Sequence, residues 1–390
     1  MDILSKFEQQ VTTYLQGYLK RYVIKYQNKR LAETGDIVVK QAESRDVDAV
    51  ELDALIGESK EWAISITKAQ ATKIAISLYL NREAVYRTFI LQYANRNFAC
   101  AVRTNDRICL ICDVDEKREN LSMVDFRRLA VKTVADSLLR LGGYNVSNEL
   151  NDSAQTMIIT DKRSKQSSNN LEILCGSVTT YGITATEYIS KRANDMQLIA
   201  QHKYGIRVKD HRQFQQTIAS LGRSAAIVDM LESKVSSPID MKKQKNQSSK
   251  GASFILYNYA RLSVLFNTYN EKQNANYYPQ LPPISKIDFT LLIEEDEWQL
   301  FWVYVAGFPA MVKQALGDGQ LMRFAPHVVL SFTSGLVICL SKYYRRVRIL
   351  TENREHLLST MFARIHLLQS VYTVLSTLLK LLNLEPVTKM

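Results

Sequence analysis

Between Arg107 and Ile159 the hydrophobic period of the chain switches from strand to helix and back, and no other feature restricts the fold as much. The run Arg107–Asp113 is short, apolar and rich in β-formers. From Phe126 to Leu141 the apolar residues Leu129, Val134, Leu138 and Leu141 share one helical face, and Gly142-Gly143 ends the helix. Tyr144-Asn145-Val146 and Thr156–Ile159 then return to strand character. Two strands separated by a helix-length crossover pair side by side and parallel, because a tight hairpin cannot join them. The segment therefore predicts a parallel α/β layer. After a polar loop, Asp161–Asn170, come a further strand at Leu171–Val178 and helical material to about Leu231.

The flanks differ from this core. Ahead of it, Phe7, Val11, Tyr14, Leu15, Tyr18, Leu19, Tyr22 and Val23 recur at three- and four-residue steps, which predicts one long amphipathic helix interleaved with Lys20, Arg21, Lys25, Lys29 and Arg30. A polar stretch to about Lys60 follows. Ile74–Leu80 then reads as a strand, with Asn81 capping a helix through Ile90. Behind the core, residues 235–250 lack apolar periodicity and are rich in Ser, Lys, Gln and Asn, the composition of a linker. Beyond it every pattern is helical. Phe254 to Tyr269 forms one helix, and a second carries Glu294, Glu295, Asp296 and Glu297 early, where acids suit the helix dipole. Others cover Val328–Tyr344 and Leu357 to Leu382, so this part is an all-α bundle.

A formal charge of +11 favours a polyanionic partner, most often nucleic acid or an anionic membrane surface, and carries no information about fold. The five cysteines are odd in number and irregular in spacing. Cys109 and Cys112 lack a second pair and sit in an apolar run, so they are expected to be reduced core thiols. The five histidines show no metal spacing, and no glycine-rich phosphate loop appears, so neither metal nor cofactor is expected. Val328–Leu340, the longest apolar segment, is broken by Ser331, Thr333, Ser334 and Gly335 and falls short of the roughly 20 residues a membrane span needs. The chain is expected to be soluble, cytoplasmic and without a membrane partner.

One short segment stands out. Ser341–Arg348 holds four cations and two tyrosines without an acid. Cations bind a phosphate backbone and tyrosines stack on unpaired bases, the pair of contacts a single-stranded RNA loop requires. A solvated helix end with its charges on the C-terminal dipole explains the same residues.

The helical C-terminal region resembles the DALR anticodon-binding domain that closes arginyl-tRNA synthetases. The resemblance is carried by Phe254–Leu262 with its Ala260-Arg261, by the acidic helix Glu294–Trp298 leading to Phe308-Pro309, by Ser341–Val347, and by Arg364–Leu368 with Leu378–Leu384. Residues 78–86 are similar to the end of the synthetase N-terminal domain. Ser122–Val146 is similar to the synthetase segment that opens with His-Val-Gly-His-Leu-Arg. Arg127, Asp136-Ser137-Leu138-Leu139-Arg140-Leu141 and Tyr144-Asn145-Val146 match, whereas Ser122-Met123-Val124-Asp125 stands where the two phosphate-binding histidines should be. An aspartate there repels phosphate instead of stabilising it. Lys162-Arg163-Ser164-Lys165 lies only about forty residues later, too early for the second synthetase signature.

A shortened, degenerate synthetase-like chain with a DALR domain is similar to the family of DALR anticodon-binding domain-containing protein 3. Lys250–Phe254, Tyr278-Pro279, Pro282-Pro283, Asp288–Leu292 and Glu297-Trp298 carry that likeness. It implies an α+β unit over residues 1–95, a truncated Rossmann-like α/β core over 96–234, a linker over 235–250 and the DALR bundle over 251–390. It also implies a non-catalytic adaptor that binds arginine tRNAs, and no DNA, and brings a 3-methylcytidine tRNA methyltransferase to the anticodon loop. The expected tRNA contacts are Lys342, Tyr343, Tyr344, Arg345, Arg346 and Arg348, with Tyr257, Arg261 and Arg364 beside them. Asn81-Arg82 and the N-terminal basic residues are further candidates for the corner of the tRNA. A divergent synthetase that still activates an amino acid is the alternative.

Overall fold

A computed structural model describes residues 3–41, 50–94, 98, 100, 106–115, 120–149, 155–162, 170–180, 182–204, 212–241, 251–317 and 324–387, with the side chains of 199–204 and 212–214 left aside. Most of the polar loop after Asp161, including Arg163-Ser164-Lys165, and residues 242–250 of the expected linker lie outside the described residues.

The elements run in chain order as α1 (Ile3–Leu15), β1 (Tyr22–Tyr26), α2 (Leu31–Thr34), β2 (Ile37–Gln41), α3 (Leu52–Ser59), β3 (Ile66–Thr72), β4 (Ala75–Leu80) and α4 (Arg82–Ala94). Next come β5 (Arg107–Cys112), α5 (Met123–Leu141), β6 (Asn145–Ser147), β7 (Gln155–Thr160), β8 (Leu171–Leu174), β9 (Val178–Thr179), α6 (Ala185–Tyr204), α7 (Arg212–Leu231) and β10 (Ile239–Asp240). The remainder is helical: α8 (Gly251–Asn274), α9 (Glu295–Phe301) with a π-turn at Trp302–Ala306, α10 (Phe308–Leu316), α11 (Pro326–Arg346) and α12 (Glu355–Leu381). The fold class is thus a mixed α/β N-terminal part followed by a helical C-terminal part. Contacts group these elements into two compact units. One holds Met1–Ala99, Asn267–Pro309 and Cys339–Val374, the other Cys100–Phe266, Ala310–Ile338 and Leu375–Met390. The C-terminal helices contribute to both.

In the first unit the strands form an antiparallel sheet of order β1-β2-β4-β3. Alternation along β4 buries Ile76, Leu78 and Leu80, as a sheet with one covered face requires. The N-terminal helix is shorter than its periodicity predicts. It buries Leu4, Phe7, Val11 and Leu15 and then stops, and Tyr22–Tyr26 pairs with β2 instead. Tyr18, Leu19, Tyr22 and Val23 satisfy a helical spacing, but Val23, Ile24 and the tyrosines are equally good strand formers, and the partner strand decides. The polar stretch before Lys60 hides β2, whose Ile37, Val38 and Val39 are all buried, and α3. The Asn81 side chain accepts from the Ala84 amide at 3.2 Å and caps α4 as expected.

In the second unit β6, β5, β7 and β8 lie side by side, all parallel, with α5 as the crossover from β5 to β6. The β5 residues Ile108, Cys109 and Leu110 are buried. Helices α6 and α7 pack so closely that a Cβ at Gly222 would lie 2.6 Å from Ala193, which makes glycine a requirement there.

Candidate RNA interface

Helix α9 organises the basic segment that follows it in sequence by some forty residues. Its start is closed by a capping box in which the Glu294 amide donates to Glu297 Oε2 at 3.1 Å. Trp298 on the same helix is buried, and its indole Nε1 donates to Asp36 Oδ1 at 2.7 Å, while Asp36 Oδ2 accepts from the Leu80 amide at 2.8 Å. Burial raises the Asp36 carboxyl, and these two donors oppose the rise. Arg82 lies over the Trp298 ring at 5.2 Å and forms a two-pronged pair with Glu295 at 2.7 and 3.1 Å. Tyr86 packs against Phe289, Trp298 and Phe301. With the N-terminal sheet and α4 holding it on these sides, α9 presents Asp296 and Glu297 in fixed positions.

Those two acids receive the C-terminal cations. Glu297 is fully buried, and its Oε1 accepts from the Tyr343 hydroxyl at 2.9 Å and from Arg364 Nε at 2.8 Å. Asp296 accepts from Lys342 Nζ and from Arg346, both at 2.8 Å. Burial raises the Asp296 carboxyl most, yet the two cationic donors outweigh it and hold the group below the usual carboxylate range. Lys342 and Arg346 are one helical turn apart on α11, so a single carboxylate sets the orientation of that face.

The nine expected contacts therefore separate into distinct environments. Lys342, Arg345, Arg346 and Arg348 are exposed at and just beyond the end of α11. Arg345 Nε donates to the Ser341 carbonyl and Arg348 Nε to the Leu350 carbonyl, each at 3.2 Å. Tyr344 is half-buried. Tyr343 is different: its ring is entirely enclosed, so it cannot stack on a base, and the expectation that it does so is corrected here. Burial, then the Glu297 charge, raises its hydroxyl well above the ordinary tyrosine value. Arg364 is mostly buried against Glu297 and serves the same pair. Tyr257 and Arg261 are half-buried on the part of α8 that belongs to the second unit, apart in contact grouping from the other seven. Arg82, a candidate for the corner of the tRNA, is committed to Glu295. Sequence reading missed Asp296 and Glu297 as organisers. Their placement early in a helix was legible, but their partners are distant in the chain.

In the second unit, the start of α5 is closed by its own side chains. Ser122 Oγ accepts from the Asp125 amide at 3.1 Å and donates to Asp125 Oδ2 at 2.8 Å, capping α5. Asp125 in turn pairs with Arg128 at 3.2 Å. Arg127 is fully buried and donates to the carbonyls of Gly176, Ser237 and Lys234 at 2.7 to 2.9 Å. Among the described residues no group of three His, Cys, Asp or Glu is placed to hold a metal, and no helix is long and apolar enough to cross a membrane.

Residues 255–390 match the DALR anticodon binding domain family. Over 231 residues, 56% of this chain, the sequence is 29% identical to DALR anticodon-binding domain-containing protein 3 of Danio rerio, and over 227 residues, 55% of the chain, it is 30% identical to the protein of that name from Rattus norvegicus. The chain spans 41% and 42% of the length of those two relatives. In fold it is similar to the arginyl-tRNA synthetase of Thermus thermophilus, with a TM-score of 0.64 over 99% of this chain and 100% of that one, at 11% identity. The chain thus carries a DALR anticodon-binding domain, resembles the DALR anticodon-binding domain-containing protein 3 family in sequence, and has an arginyl-tRNA synthetase-like fold.

Proposed function

We propose that this DALR-domain protein is a non-catalytic tRNA-binding adaptor, which selects arginine tRNAs in the cytoplasm and recruits a 3-methylcytidine tRNA methyltransferase to the anticodon loop. The observation that carries the reading is the end of α11, where Lys342, Arg345, Arg346 and Arg348 stand exposed while Asp296 fixes two of them from one side. Fixed cations at a helix end suit phosphates, since their orientation is settled before binding. The DALR match over residues 255–390 gives these cations an RNA context. The non-catalytic reading is supported by Ser122–Asp125. A helix start that binds ATP phosphates needs open amides and positive or neutral side chains, whereas this one is closed by Ser122 and carries Asp125.

Crosslinking and immunoprecipitation of the tagged protein, with sequencing of bound RNA and identification of co-purified proteins, tests the reading. Enrichment of a subset of arginine tRNAs together with a methyltransferase is the expected outcome. Recovery of bulk tRNA, or of none, overturns the adaptor reading. Arginine-dependent ATP–pyrophosphate exchange is expected to be absent, and any stimulated exchange restores the divergent-synthetase alternative. Arg345→Ala with Arg348→Ala is expected to lower the slope of log affinity against log salt by about one to two, one phosphate contact per arginine.

A further inference from the structure

The first unit also contains a recess whose lining includes none of the nine expected contacts. It encloses about 680 Å³ and is lined by the C-terminal end of α8, the turn after it, and Asn353. Five of its side chains are amides, Gln273, Asn274, Asn276, Gln280 and Asn353, and none of the described residues lining it is acidic. Tyr277 stands in it with 42% of its surface exposed, an unusual placement for a ring of that size. It is also held rather than loose. Its hydroxyl accepts from the Asn353 amide at 3.3 Å, its ring meets Tyr278 edge-on at 4.9 Å, and Lys272 Nζ sits 5.1 Å from its centroid. Tyr278 is buried behind it, stacked on Tyr269, with its hydroxyl donating to the Thr351 carbonyl. The turn itself needs a left-handed residue, and Asn276 supplies it at φ 57°.

We propose that this recess binds one unstacked nucleobase of a single-stranded RNA segment, with Tyr277 as the stacking face and the amides around it meeting the base edge. Amides carry a donor and an acceptor side by side, the pattern that base edges present, and a fixed aromatic ring supplies stacking without an ordering cost at the moment of binding. Lys272 over one face of the ring, and the exposed Arg348 whose charge is felt at Tyr278, supply positive charge for the phosphates that flank such a base. A carbohydrate would meet the amides and the ring equally well but would leave those cations without a role. The inference rests on the tRNA-binding reading for its phosphate-bearing ligand, and it places a base-recognising site on the α8 turn rather than on the basic end of α11.

The test uses the full chain and two probes, an arginine tRNA and a short unpaired RNA oligonucleotide, with binding followed by fluorescence anisotropy at several salt concentrations. Tyr277→Ala is expected to weaken both probes about tenfold without changing the salt slope, because stacking and not charge is lost. Tyr277→Phe, which keeps the ring, is expected to bind within about twofold of the original protein. If Tyr277→Ala melts normally and binds both probes as before, the recess is no base site, even though tRNA binding itself stands. If the oligonucleotide binds through Tyr277 while tRNA does not bind, the recess stands and the tRNA reading falls. Failure of the unaltered protein to bind either probe overturns both. Should Tyr277→Ala fail to melt cooperatively, photocrosslinking of a 4-thiouridine oligonucleotide to the unaltered protein decides. Adducts on Tyr277 or Tyr278 support the site, and adducts confined elsewhere overturn it.

Discussion

Arg364 and Arg127 are both withdrawn from solvent, yet they are neutralised in opposite ways. In the first unit Arg364 meets the buried carboxylate of Glu297, and the same oxygen also accepts from Tyr343. In the second unit the Arg127 guanidinium donates, among the described residues, to the backbone carbonyls of Gly176, Lys234 and Ser237, and burial lowers its affinity for a proton. A carboxylate partner fixes two side chains against each other. A set of carbonyls uses one side chain to hold two stretches of backbone, the turn before β9 and the turn before β10, which pair as neighbouring strands. The first arrangement fastens α11 and α12 to α9, and the second ties two turns of backbone together through one side chain.

The comparison is broken most directly at Arg127. Arg127→Ala orphans the Gly176 and Ser237 carbonyls, while that of Lys234 still accepts from the Ser237 amide at 2.9 Å. At about 1–3 kcal/mol for each buried, unsatisfied carbonyl, a loss of more than about 2 kcal/mol is expected in urea unfolding. A loss below about 1 kcal/mol would mean that water reaches those carbonyls and the second unit does not depend on the arginine. Glu297→Ala is expected to cost about 3 kcal/mol, because it strands a buried guanidinium and a buried hydroxyl together. Its double-mutant cycle with Arg364→Ala should show a coupling of about 1–3 kcal/mol, and additivity of the two losses would dissolve the claimed pairing.

Asp296→Asn is the smallest effect and the sharpest in sign. Lys342 and Arg346 are more than half exposed, at 52% and 65%, so their pairs with Asp296 are worth at most about 1 kcal/mol. The folded-state carboxyl is held below its ordinary value, so this stability is present above about pH 4 and is lost as the pH falls through the depressed value. Stability measured from pH 7 to pH 3 should therefore drop slightly less steeply in Asp296→Asn than in the unaltered protein. An identical profile would show that the pairs contribute nothing.

The α/β layer was legible because its signal is local. Ile108–Ile111 reads as a strand, Leu129–Leu141 as a helix, and the glycines that stop it are adjacent. The run from Tyr18 to Val23 failed for an equally physical reason, since its residues can satisfy a helical and a strand spacing at once, and the partners of Tyr22 and Val23 are Gln41 and Lys40, far along the chain. The candidate site was half legible. Clustered cations identify themselves in sequence, and those of Ser341–Arg348 are indeed exposed. That Tyr343 faces inward while Arg345 faces outward depends on Glu297, 46 residues earlier, and no local pattern encodes that pairing.

The cap on α5 also constrains how this chain can change. Replacing Ser122 with histidine removes the cap, at about 1 kcal/mol, while Asp125 still repels any anion brought to that helix start. Replacing Asp125 removes the ion pair to Arg128 at 3.2 Å and leaves that arginine its bond to the Ile159 carbonyl at 3.3 Å. Each single replacement removes a contact that holds the start of α5. The start of α5 is thus fastened twice over, by a hydroxyl cap on the Asp125 amide and by an ion pair one turn further in.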